Sequence, residues 1–159
     1  MLVLGLDPGI AKFGYGLVAH ERGSIRMVDA GVLLTPAHQP AAERLAVIGT
    51  GITALLNRHT PDMVVIERLI PGPGRNLGAV AEARGVALYL AGLRKLPVAE
   101  ESARAVKALT TRHGGATKLQ MRKTVQRLLQ LPELPSPDAA DALAIALQYK
   151  GFPTWGQRS

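Results

Sequence analysis

Four carboxylates in this chain have the types and spacing that metal-assisted hydrolysis would need: Asp7, Glu67, Asp138 and Asp141. Asp7 ends the apolar run MLVLGLD and stands directly before Pro-Gly, and Glu67 ends the run MVVIE. Asp138 and Asp141 lie in SPDAADALAIAL at i and i+3, one turn apart on the same face of a helix. Each has an ordinary explanation when taken alone. Asp-Pro-Gly is turn chemistry, and an acid at a strand end is commonly solvated rim. Acids in a first helical turn complement the macrodipole, and Asp138 could itself be the N-cap. Brought together, four carboxylates repel one another unless a cation sits among them. Oxygen-only donors favour a hard divalent ion, Mg²⁺ or Mn²⁺, over zinc. Two such ions about 3.5–4 Å apart activate water on one side of a phosphate and stabilise the leaving oxygen on the other.

The whole-chain charge fits that chemistry. Nineteen Lys and Arg against twelve Asp and Glu leave a net charge of +7 and a pI near 10.3. Such an excess points to a polyanionic partner, nucleic acid before membrane, against the plainer reading of a generally basic surface. The 159 residues are expected to form one domain. There is no cysteine, so disulfides and thiolate zinc sites are excluded and a reducing cytoplasm is the expected setting. The N-terminal apolar run is broken by Asp7 and Pro8, and it has neither the basic start nor the cleavage pattern of a signal peptide.

The elements that would carry the acids can be read from periodicity. MLVLGLD, FGYGLVAH and SIRMVDAGVLLT read as three strands of an antiparallel meander, the last two joined by the turn ERG. Leu45, Ile48, Ile52, Leu55 and Leu56 have helical spacing, and PDMVVIE follows as a buried strand. LIPGPGRN is a loop. Residues Leu77 to Leu93 read as a helix that is apolar almost all round, which predicts burial on two sides or a place at a subunit interface. LPVAE is a short strand, Ser102 caps a short helix to Leu109, and Thr117 caps a further helix to about Gln130. The last helix is expected from about Asp138, ending before Gly151, with Ala140, Leu143, Ala144 and Leu147 packing on the sheet. Strands four and five each follow a helical crossover and should lie parallel in the sheet. The result is an α/β fold with a five-stranded mixed sheet flanked by helices. Strands one and four become neighbours, and Asp7 and Glu67 share one sheet edge.

In this order GLDPG with GYG, VIE before a loop and a helix containing ARG, and DAADALAIA resemble the RuvC family of Holliday-junction resolvases along essentially the whole chain. The resemblance implies a ribonuclease H-like fold, a homodimer, and Mg²⁺-dependent symmetric nicking of four-way DNA junctions in recombination and repair. It implies that Asp7, Glu67, Asp138 and Asp141 are the metal-binding catalytic acids, and that a RuvA–RuvB branch-migration complex is a partner. Lys107 and Lys118 fall where the family carries DNA-contacting basic residues. Arg112, near Lys107 and Lys118 around the HGGA turn, and Arg75, in the loop after Glu67, are further DNA-binding candidates. Some relatives carry an aromatic in that loop; here Ile70 stands at the corresponding position, and an aliphatic wedge can still insert between bases.

Three rival readings follow from the same residues. DPGIAKFGYG is also similar to the first phosphate-binding turn of sugar-kinase and actin-type ATPases, but those folds need two such domains and this chain has room for one. A non-catalytic DNA-binding module would gain nothing from four acids near phosphates. A nuclease of the same fold acting on an RNA–DNA hybrid or another branched nucleic acid is the closest competitor.

Overall fold

The computed structural model describes residues 1–22, 24–69, 77–101 and 117–148. Five strands form one sheet: β1 (Leu2–Asp7), β2 (Lys12–Glu21), β3 (Ser24–Leu34), β4 (Met63–Glu67) and β5 (Val98–Glu101). Their order is β3-β2-β1-β4-β5. β1 pairs antiparallel with β2 and parallel with β4, and β4 pairs parallel with β5. The meander and crossovers expected from the sequence are therefore present, and the sheet is the mixed one anticipated.

Strand alternation gives the sheet two faces. Leu4 and Leu6 of β1, Phe13 and Leu17 of β2, and Val64 and Ile66 of β4 pack with α1 (Ala41–His59) and the alanines of α2 (Leu77–Leu93). Val3, Val18, Met63 and Val65 point the other way, against α3 (Lys118–Leu128) and α4 (Pro137–Leu147). Thr117 caps α3 through a reciprocal pair with Gln120, as its position before the helical run predicts. No helix among the described residues is long and apolar enough to cross a membrane.

Three local expectations need correction. Strand five runs Val98–Glu101 instead of covering LPVAE, because Leu96 still donates its amide to Ala91 at the end of α2. Of the two places expected for α2, burial on two sides is not found among the described residues: Ala83, Ala87 and Ala91 are its buried positions, while Tyr89 is 65% and Leu93 62% exposed. α4 buries more than one stripe. Ala139, Ala142, Ile145 and Ala146 join Ala140, Leu143 and Ala144, because the helix lies between the sheet and α3; Leu147 packs against the same cluster while staying partly exposed.

Candidate active site

Asp7 is the last residue of β1, on the same face as Val3 and Gly5. Glu67 ends β4 on the face of Met63 and Val65. Leu6 is level with Ile66 in the parallel pair, so Asp7 and Glu67 stand side by side at one edge, on the face that carries α4.

The strand glycines bring α4 to that edge. A Cβ on Gly14, the antiparallel partner of Asp7, would lie 2.5 Å from the backbone oxygen of Asp138 and 3.3 Å from the Cβ of Asp7. A Cβ on Gly5 would collide with the backbone oxygen of Ala142. Bare backbone at these points lets the helix sit against the sheet with its first turn beside Asp7. Ser136 is the N-cap and accepts from the Ala139 amide at 3.4 Å, and Pro137 is the first helical residue. Asp138 is therefore not needed as a cap, and its carboxylate is left for other partners. The amide end of the helix dipole also favours negative charge there.

The electrostatics register the crowding. The Asp7 carboxyl is pushed up to about 7 from its ordinary 3.8, first by burial. The negative charges of Glu67 and Asp141, a hydrogen bond to Glu67, and the charge of Asp138 add to the effect. The other three acids singled out in the sequence thus all act on the Asp7 carboxyl group. Among the described residues no group of three or more His, Cys, Asp or Glu side chains is placed to hold a metal ion by itself. Hard ions such as Mg²⁺ are commonly held by one or two carboxylates, waters and substrate phosphate, so an open set of oxygen donors fits them. The negative charges of Glu67, Asp141 and Asp138, which add to burial in raising Asp7, are what a bound cation would relieve.

A cleft of about 450 Å³ opens from this edge, bordered by Asp7, Glu67, the Pro8–Lys12 segment, Leu69 and the first turn of α2. The segment is tied down by Thr35, whose hydroxyl donates to the Ile10 carbonyl and accepts from Arg44 Nε at 2.9 Å. Arg84 of α2 donates to the Glu67 carbonyl at 3.4 Å and pairs with Glu100, which Arg68 also approaches at 3.6 Å. Neither Lys12 nor Arg84 was singled out in the sequence. The signal for Lys12 was its place two residues before Gly14 on the second strand; for Arg84 no local pattern announced a contact across to β4. Lys118 opens α3 and is exposed. Ile70, Arg75, Lys107 and Arg112 lie outside the described residues, as do the turn at Gly23, the helix expected from Ser102 to Leu109, and Gly151.

A mixed β3-β2-β1-β4-β5 sheet with helices on both faces and acids at its edge is the ribonuclease H-like architecture of a class of nucleases. The family model for crossover junction endodeoxyribonuclease RuvC matches residues 3–149, and the chain belongs to that family. It is 46% identical over 148 residues to the crossover junction endodeoxyribonuclease RuvC of Leifsonia xyli, covering 91% of this chain and 71% of that one. With the Chloroflexus aggregans protein of the same description it shares 44% over 149 residues, covering 92% and 91%. Among solved structures, T. thermophilus RuvC in complex with Holliday junction substrate superposes with a TM-score of 0.84 at 34% identity, covering 93% of this chain and 92% of that one. The family is one of metal-dependent nucleases.

Proposed function

We propose that this chain resolves four-way DNA junctions by hydrolysing phosphodiesters, and that Asp7, Glu67, Asp138 and Asp141 are the acids of its single active site. The observation that carries the reading is the Asp7 carboxyl, raised to about 7 by burial and by the other three acids. Such a concentration of negative charge in a chain of net charge +7 is suited to holding cations, while the remaining surface attracts the polyanion. The four acids would hold Mg²⁺ or Mn²⁺, two ions per site, which when bound supply an activated water and neutralise charge on the leaving oxygen.

The chain's own residues supply position. Asp7 is fixed by the central strand, Glu67 by its parallel neighbour, and Asp138 and Asp141 by a capped helix seated on glycines. Lys107, Arg112, Lys118 and Arg75 bind phosphates flanking the junction, and Ile70 inserts at its centre. Residues 1–159 form one nuclease domain acting in the cytoplasm. A two-fold homodimer would present two equivalent sites to opposite strands and give paired nicks. The exposed apolar side of α2 supports that assembly, and a RuvA–RuvB motor is the partner the family resemblance implies.

Asp7→Asn tests the site directly. The variant should bind a four-way junction within about 3-fold of the parent, because the basic surface is untouched, and lose cleavage by about 10³-fold or more. Gel-shift titration and single-turnover cleavage with Mg²⁺ or Mn²⁺ measure the two. Undiminished nicking by Asp7→Asn would refute the assignment.

A further inference from the structure

A phosphodiester approaching four carboxylates meets repulsion at short range, and the cleft beside Asp7 contains one basic residue among its described lining, Lys12. Lys12 begins β2 and stands two residues before Gly14, the partner of Asp7, so it shares the face of the strand ribbon on which Asp7 lies. In an antiparallel pair such diagonal neighbours are within reach of a long side chain. The turn between the strands is held tight: a Cβ on Gly9 would lie 2.5 Å from the Lys12 carbonyl oxygen. The Thr35–Arg44 clamp on Ile10 fixes the same segment from outside. Lys12 is exposed, and among the described residues the ion pairs are formed by other groups. Lys12 thus stands on a rigid strand end that lines the same cleft as Asp7 and Glu67, and no ion pair to it is formed among the described residues.

We infer that Lys12 is a positioning residue for the DNA, holding a phosphate oxygen of the cleaved strand at the mouth of the acidic cleft. The inference rests on the nuclease reading of Asp7 and its partners. A lysine serves this role as a compact point charge with three donors, giving attraction to phosphate without base preference. Its position beside the acids makes it matter for the alignment of the reacting strand more than for overall affinity, since the junction arms extend far beyond one cleft.

Single-turnover cleavage of a four-way junction at saturating protein tests this with Lys12→Gln and Lys12→Arg, alongside Asp7→Asn. Lys12→Gln should slow cleavage about 10- to 100-fold while junction affinity changes less than about 3-fold, and Lys12→Arg should recover most of the rate. A purely structural role would not be rescued by arginine or spare affinity. If Lys12→Gln cleaves at the parental rate under saturation, or loses rate only through weaker binding, the inference is wrong. A parental rate in Asp7→Asn would instead overturn the underlying site, so the two failures are distinguishable.

Discussion

At the scale of single residues the energetics of Asp7 are unusual for a carboxylate. Burial and three neighbouring acids make its protonated form the comfortable one up to about pH 7. Below about pH 4 Asp7 is protonated both folded and unfolded, so the raised value has no effect on stability. Between 4 and 7 only the unfolded chain gives up this proton, and stability falls as pH rises; above 7 the full cost of an ionised, crowded carboxylate is present. An asparagine side chain at this position would mimic the protonated acid without that cost. In chelator, Asp7→Asn should therefore match the parent near pH 4 and exceed its stability at pH 8, by on the order of 1–4 kcal/mol. Denaturant melts at both pH values check this, and an equal difference at both would contradict it. The four candidate acids stood out in the sequence because Asp7, Glu67 and Asp138 sit at element boundaries that periodicity marks and Asp141 follows Asp138 by one helical turn. The release of Asp138 from capping was also there to be read, since Ser136 followed by Pro137 is the pattern of a cap and first helical residue. The contact of Arg84 with the Glu67 carbonyl was not, because it joins elements whose relative placement only the folded chain defines.

At the scale of elements, the site depends on how closely a helix can approach a sheet. Helices and sheets ordinarily pack through side chains; here Gly5 and Gly14 remove them, and α4 rests on strand backbone. The sequence displayed GLD and GYG as strand residues, yet nothing local said that their bare faces were seats for DAADALAIA. α2 shows the opposite outcome. Its pattern suggested a helix apolar almost all round, and the structure uses three alanines inside while leaving Tyr89 and Leu93 to the exterior. Composition could not tell a face buried within the chain from one left exposed. If α2 forms the two-fold interface, Val80→Glu, Val86→Glu and Leu90→Glu should each shift the protein from dimer to monomer in light scattering. Three folded dimers would exclude the helix as the interface.

At the scale of the whole molecule, connectivity was the most legible feature. Short glycine turns predicted the antiparallel meander, and helical crossovers predicted parallel pairing of β1, β4 and β5, as found. That order puts the first and fourth strands side by side and so puts two acids distant in sequence at one edge. With a net charge of +7, the proposed reading divides the labour: four acids stand at one sheet edge, and cations elsewhere would engage the backbone of the DNA. A nuclease of the same fold acting on a hybrid or another branched nucleic acid is the closest competitor, so choice of substrate is the property that separates the two readings. The most direct measurement is single-turnover cleavage of a four-way junction, a linear duplex of matching sequence and an RNA–DNA hybrid, each with Mg²⁺ or Mn²⁺. The account predicts paired, symmetric nicks in the junction at least about 10²-fold faster than any cut in the other two. Equal cleavage of all three, or preference for the hybrid, would contradict it.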